Sequence, residues 1–368
     1  MLFLLQTQTN SIKLNKMKTS FIPIVLTIIS SLFVGTIKGQ SSVPIAPGLS
    51  YTFYSTICPN LESIVRNHLL QVFANDTTQA AGLLRVHFHD CFVLGCDASV
   101  LLDGSASGPS EQSAIPNLTL RPEAFKIIND LQTLIQSQCG QAVSCADITA
   151  LAARDSVLLT GGPSYNIPLG RRDSLNFATQ NVTKANLPGP TLNTTQLLNA
   201  LSTKNLSATD LVALSGGHTI GRGHCASFTN RLYPARDPTM DQTFYNNLKL
   251  TCPASNTTNT THNDIRTPNI FDNKYYVNLM NRQTLFTSDQ TLYTDSRTKD
   301  IVTSFAINQT LFFEKFVEGM LKMGQLGVLT GTQGEIRTNC SAMNNNGNNL
   351  GGWSIVEEDL REGIWSQS

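Results

Sequence analysis

The chain has 368 residues, 40% of them hydrophobic and 14% charged, enough apolar material for one large domain or two closely fused ones. That composition excludes a disordered polymer. Its 26 basic and 26 acidic side chains balance, and without a long run of one sign they offer no electrostatic footprint for nucleic acid.

The first element is "FIPIVLTIISSLFV" (Phe21–Val34), 14 residues behind Lys13, Lys16 and Lys18. A membrane span needs about 20 apolar residues, so this stretch reads as a secretory signal, with cleavage expected near Gly39–Gln40 and Met17 as the more ordinary start. Removing residues 1–39 takes four lysines, leaving 22 basic against 26 acidic side chains. No second span follows, so a soluble product without membrane contact is expected. Eight cysteines remain, at 58, 91, 96, 139, 145, 225, 252 and 340. An even count behind a signal implies disulfides in the oxidising secretory route. Cys91 and Cys96 can close a small loop; the other pairings stay open, and the lack of any C-x-x-C disfavours zinc. Nine N-x-S/T triplets, at Asn75, Asn117, Asn181, Asn193, Asn205, Asn256, Asn259, Asn308 and Asn339, predict several attached glycans.

Helical periodicity then dominates. "NLESIVRNHLLQVFAND" spaces Leu61, Ile64, Val65, Leu69 and Val72 by threes and fours. A second helix is expected through 81–92. "EAFKIINDLQTLIQSQCG" ends on a glycine suited to a helix C-terminus, and "CADITALAARDSVLLTGG" stops at Gly161, Gly162 and Pro163. Further helices are expected at 194–203 and 207–215, and "DIVTSFAINQTLFFEKFVEGMLKMG" is long enough for one on each side of its centre. Turn-rich joins such as "LPGP" and "NTTNTTHND" separate them, and strand alternation is scarce. The class is mostly α. Residues 344–368, Asn- and Gly-rich and then acidic, hold both tryptophans and read as a disordered tail or a sorting propeptide.

Two stretches carry chemistry. In a helix through "RVHFHDCF", Arg85 and His89 stand at i and i+4 on one face, while His87 points elsewhere. The sequel "DCFVLGCDASV" offers carboxylates at Asp90 and Asp97, the Ser99 hydroxyl, and carbonyls at Val93 and Gly95, in a loop that Cys91 and Cys96 can tie. Hard oxygen donors in a tied glycine-containing loop suit Ca2+. Downstream, Ser207 or Thr209 can cap a helix through Leu211–Leu214 that breaks at Gly216–Gly217 and presents His218. A histidine lifted out after a helix suits axial binding of an iron macrocycle.

"RVHFHDCFVLGCDASVLL", "VSCADI", "GGPSYNIPLGRRDS", "ALSGGHTIG", "DIRTPNIFDNKYY" and "LFTSDQ" occur in order, and together they resemble the secretory plant (class III) haem peroxidases over about residues 50–340. The resemblance implies a mostly α haem-peroxidase fold with minor short β, two helical parts (about 40–190 and 191–343) sandwiching one haem b. It implies His89 as distal catalytic histidine, Arg85 as distal arginine, Asn117 orienting His89, Phe88 beside the haem, and Glu111 linked to the distal network. His218 is similar to the axial iron ligand and Asp289 to the carboxylate behind it. One calcium would take Asp90, Val93, Gly95, Asp97 and Ser99, and a second Thr219, Asp264, Thr267, Ile270 and Asp272. Pro188 would mark the exposed haem edge where phenolic donors dock. Family pairing gives disulfides Cys58–Cys139, Cys91–Cys96, Cys145–Cys340 and Cys225–Cys252, and Asp147 with Arg171 as a buried ion pair. Hydrogen peroxide and small phenols are the implied partners of a secreted monomer, or a vacuolar one if the tail sorts it.

Three positions depart from the family: Thr284 replaces a glycine before "L-x-S-D", Tyr165 a tryptophan, and Ser227 an aromatic near the substrate, with Phe228 next to it. A zinc hydrolase using the His/Asp cluster is one rival, disfavoured by the missing zinc spacing and the distant His218, and a non-catalytic cell-wall glycoprotein built on the same disulfides and calcium is the other. The joint presence of Arg85, His89, His218 and Asp289 argues against the glycoprotein, because a scaffold alone has no need of them all.

Overall fold

The computed structural model describes residues 43–104, 109–254 and 257–344, so the signal segment and the stretch after 344 lie outside the described residues. Thirteen α-helices occur among the described residues, with one two-stranded ribbon. In chain order they are α1 (Leu61–Asn75), α2 (Gln79–Val93), α3 (Pro122–Cys139), α4 (Cys145–Leu159), α5 (Gln180–Asn186), α6 (Thr194–Ser202) and α7 (Ala208–Ser215). Then come β1 (Arg222–His224), α8 (Thr229–Leu232), α9 (Gln242–Thr251) and β2 (Thr260–His262). The last four helices are α10 (Lys274–Met280), α11 (Thr287–Thr294), α12 (Lys299–Ile307) and α13 (Gln309–Met323).

The long helices follow the apolar periodicity closely. α1 buries Leu61, Ile64, Val65 and Leu69, and Phe73 rather than half-buried Val72 completes its stripe. α3 starts on Pro122 and ends at Gly140. Ser144 caps α4 by accepting from the Asp147 N–H at 3.1 Å. Asn308 ends α12 and also caps α13, its side chain accepting from Leu311 N–H at 3.0 Å, so the expected pair of helices meets on one residue. The short elements α5, α8, α9, α10 and α11, and the antiparallel ribbon pairing Arg222–His224 with Thr260–His262, are additions that no periodicity announced.

One continuous core joins α1–α4 to α7, α10, α12 and α13, and a second cluster gathers Phe228, Leu232, Phe244, Leu248, Leu285 and Phe286 around Cys225–Cys252. α2 packs on α4 and α3, and α7 packs on α13. α2 carries His89 and α7 leads into His218, and burial holds each helix along its length. Each core side chain removed from water contributes about 1.5–3 kcal/mol.

Four disulfides are present: Cys58–Cys139, Cys91–Cys96, Cys145–Cys340 and Cys225–Cys252. The family pairing is met in full. Arg171 and Asp147 form the expected buried ion pair at 2.8 Å. Tyr54 Oη and the Gly170 N–H also donate to Asp147, at 2.8 and 2.7 Å, and Arg171 Nε donates to Gly324 O at 2.9 Å. A buried charge pair repays its desolvation only when such bonds satisfy its remaining atoms.

Candidate functional site

On α2, Arg85 and His89 face one way, as their spacing requires. Arg85 Nε donates to His89 Nε2 at 3.1 Å. The rest of the guanidinium is fixed by the loop ahead of α3, donating to Thr119 O at 2.7 Å, Pro116 O at 2.9 Å and Thr119 Oγ1 at 3.0 Å. The same loop carries Asn117, whose Oδ1 lies 2.6 Å from His89 Nδ1 and whose Nδ2 donates to Glu111 O at 2.8 Å. An amide that donates to a carbonyl must present its oxygen to the histidine, and this settles the tautomer: Nδ1 carries the hydrogen, and Nε2 keeps its lone pair. Burial and then the Arg85 charge push the His89 imidazole down to about 3, with the Asn117 bond opposing them. Burial alone brings the Arg85 guanidinium down to about 10. At neutral pH His89 is therefore a neutral base beside a full positive charge.

Phe88 sits edge-on to His89 with ring centroids 5.2 Å apart, and edge-on to Phe92 at 4.6 Å. Glu111 is fully buried. It reaches Asn117 through its backbone carbonyl, not its carboxylate, which is pushed up to about 8 by burial and then by Asp97. His87, on the opposite side of α2, is buried in a space of about 10 Å3 with Tyr165 and Arg171, room for a single water. Burial and the Arg171 charge push it to about 3. His87, Cys91 and Cys96 lie close enough to suggest a metal, but both sulfurs are in a disulfide and offer no thiolate.

The second histidine leaves α7 on a tight 3-10 turn, Gly216–Thr219, so the expected break is a tightening of the helix. A Cβ on Gly216 would strike the Tyr276 hydroxyl and the Phe312 ring. His218 Nδ1 lies 2.9 Å from Asp289 Oδ1, in the first turn of α11. Burial opposes protonation of this ring, but the Asp289 charge and bond outweigh it, and the net shift is upward. The Arg85 charge also opposes protonation of His218. Asp289 is the ring's one hydrogen-bond partner among the described residues, and the side chain is 43% accessible. Nε2 has no hydrogen-bond partner among the described residues. An imidazole whose other nitrogen is held by a carboxylate fits haem iron.

Both oxygen clusters sit next to these histidines in the chain. Asp90, Asp97 and Ser99 are buried, and Ser99 Oγ has no hydrogen-bond partner among the described residues. Burial and then the Asp97 charge push Asp90 well up. Two buried carboxylates beside an orphaned hydroxyl fit a hard divalent cation, which would neutralise them. Val93 closes α2, leaving its carbonyl outside the helix ladder. Gly95 has φ +138° and lies against the Gly327 backbone, where no side chain fits. In the second cluster Thr219 Oγ1 lies 3.2 Å from Asp264 Oδ2 and 3.3 Å from Asp272 Oδ1, and Thr267 Oγ1 lies 3.1 Å from Asp272 Oδ1. Two carboxylates and two hydroxyls again make an all-oxygen set. Ile270 is 51% exposed, so only its carbonyl suits the role.

Thr284 does not dislodge the loop before Asp289. It is buried, its hydroxyl lies 3.2 Å from Gln290 Oε1, and its carbonyl accepts from Arg231 at 2.6 Å. Arg231 also reaches Leu285 O and Phe286 O at 3.0 and 3.1 Å, a clamp that sequence reading missed because a lone arginine shows no pattern. Phe228 is fully buried 6.2 Å from Phe286, so it cannot stand in at the surface for the aromatic that Ser227 lacks. Pro188 is half-buried before the loop whose Pro190 carbonyl accepts from Ser288 N–H at 3.0 Å. Tyr275, also missed, donates to Asp289 Oδ1 at 2.9 Å.

The sequence pattern of the family described as Peroxidase matches residues 65–308. Peroxidase 12 of Arabidopsis thaliana is 61% identical over 327 residues, covering 89% of this chain and 90% of its own. The cationic peroxidase SPC4 of Sorghum bicolor is 59% identical over 324 residues, covering 87% and 90%. A peroxidase of Armoracia rusticana is 44% identical over 308 residues, covering 81% and 87%. Haem and calcium are the family's cofactors, and hydrogen peroxide with small electron donors its substrates. Identity of this order over most of both chains carries the catalytic class as well as the mostly helical fold, and the chain belongs to the class III plant haem peroxidases.

Proposed function

We propose that the protein reduces hydrogen peroxide to water and draws the electrons, one at a time, from phenolic donors of the cell wall. One haem b would lie between the two helical parts, about 40–190 and 191–343, held by His218 Nε2 with Phe88 beside it. When bound, it supplies the redox chemistry, storing the two oxidising equivalents of peroxide. The side chains do the rest. His89 Nε2 takes the proton from one peroxide oxygen and returns it to the other, which departs as water. Asn117 holds the ring in the tautomer that makes this possible. Arg85 stabilises the charge that develops on the departing oxygen, already oriented by its three bonds to the 116–119 loop. Asp289 holds the His218 N–H and strengthens the ring as a donor.

Two Ca2+ ions would brace the residues next to each histidine, one through Asp90, Val93, Gly95, Asp97 and Ser99, the other through Thr219, Asp264, Thr267, Ile270 and Asp272. Pro188 would edge the donor site. The signal segment supports export, and no helix of the described residues is long and apolar enough to cross a membrane. We take the mature form to be a secreted monomer, with the choice of wall or vacuole left to the tail.

The observation that carries this reading is the fixed tautomer of His89, a neutral base held between an amide and a guanidinium. The test is to supply the refolded protein with haem and calcium. A Soret band and peroxide-dependent oxidation of phenols are expected, with turnover across a panel of monolignols and flavonoids. A chain that binds haem but leaves every phenol untouched would defeat the assignment.

A further inference from the structure

Tyr275, in the first turn of α10, is buried, and its hydroxyl donates to Asp289 Oδ1 at 2.9 Å. That is the oxygen facing His218 Nδ1, also at 2.9 Å. The tyrosine and histidine rings meet edge-on, centroids 6.1 Å apart. Asp289 is buried, and no lysine or arginine among the described residues pairs with it. Its charge rests on the N-terminal turn of α11 and on these two donors. One carboxylate oxygen thus serves both a phenol and the histidine N–H. Neighbouring Tyr276 is a natural contrast: equally buried, it sends its hydroxyl to Val212 O at 2.9 Å, away from Asp289.

We propose that Tyr275 is a positioning residue that sets how strongly Asp289 pulls on the His218 N–H. An oxygen that accepts two charge-assisted hydrogen bonds is a weaker acceptor for each. The phenol therefore limits the negative character reaching the imidazole, and with it the electron donation of Nε2. This rests on the reading of His218 as axial ligand.

Tyr275→Phe and Tyr276→Phe, each loaded with haem, test it by resonance Raman of the ferrous iron–histidine stretch and by the ferric/ferrous midpoint potential. Tyr275→Phe is expected to move the stretch to higher frequency and the potential to lower values, and Tyr276→Phe to move neither. An unmoved stretch and potential in Tyr275→Phe, or equal shifts in both variants, overturns the proposal while leaving the axial assignment intact. Absence of any iron–histidine band in the unmutated holoprotein overturns the axial assignment, and this inference with it.

Discussion

The two histidines of the site are held in opposite ways. Each has its Nδ1 tied to one oxygen, at 2.6 Å for His89 and 2.9 Å for His218. The oxygen belongs to a neutral amide in one case and to a carboxylate in the other. Beside the amide, burial and Arg85 dominate and the imidazole falls to about 3; beside the carboxylate, the charge of Asp289 outweighs burial and the imidazole rises. One ring is thereby kept neutral, as a base requires, and the other is made richer in electrons, as the proposed iron ligand requires. Burial acts the same way on both rings, and the charge beside each, Arg85 for His89 and Asp289 for His218, sets the difference in direction.

The largest effect tests the base itself. His89→Ala should slow reaction with peroxide by at least the factor of about 10^2–10^4 typical of a lost general base, with haem content unchanged. Stopped-flow rates within a few-fold of the unmutated enzyme would remove His89 from the chemistry. Asn117→Asp sharpens the contrast by giving the distal ring the proximal ring's partner. A carboxylate on Nδ1 favours the imidazolium, so activity, normally lost only as pH falls toward about 3, should fail at higher pH in the variant. An acid limb that stays put contradicts the account of the two rings.

Calcium removal comes next in size. Chelation should strip any Ca2+ held by the carboxylates around Asp90 and Asp264, and a ligand present at a hundred times its Kd contributes about 2.7 kcal/mol. A lower Tm in chelator is expected, with the His89 and His218 environments both loosened. A Tm indifferent to chelator would leave the oxygen clusters without a cation. Acid stability tests the two buried histidines of α2. His87 and His89 sit at about 3 in the fold against 6.5 unfolded, so below about pH 6.5 the unfolded chain binds protons that the folded one refuses. Their share of the stability should be lost from pH 6.5 toward 3, opposed by Glu111, raised to about 8, and Asp173, raised to about 6, which hold their protons in the fold. His87→Leu should lessen that loss, and a variant whose denaturant midpoint follows pH as the unmutated chain's does would contradict this. Last, Asn117 is 3% exposed with both amide atoms engaged, so its triplet should carry no glycan while surface triplets do; a modified peptide there by mass spectrometry would remove Asn117 from the site.

Much of this was legible in the chain. Spacing alone put Arg85 and His89 on one helix face, and the loop 90–99 announced an oxygen site through its carboxylates and its glycine. Asn117, Asp289 and the three longer disulfide pairs came only from family resemblance, since they lie dozens of residues from their partners and no local pattern links them. Tyr275 and Arg231 escaped both routes. They act through a single hydroxyl and a clamp on three loop carbonyls, contacts that periodicity does not encode.

Local sequence determined the long helices and the residues they present, because a helix needs only its own i, i+3 and i+4 neighbours to declare its buried face. Packing of α7 on α13 and of α10 and α11 beside them decided that His218, Asp289 and Tyr275 would share one oxygen. It likewise decided that Asn117 would reach His89 across 28 positions of chain. Such meetings depend on where separate elements come to rest, and only the closed core fixes that.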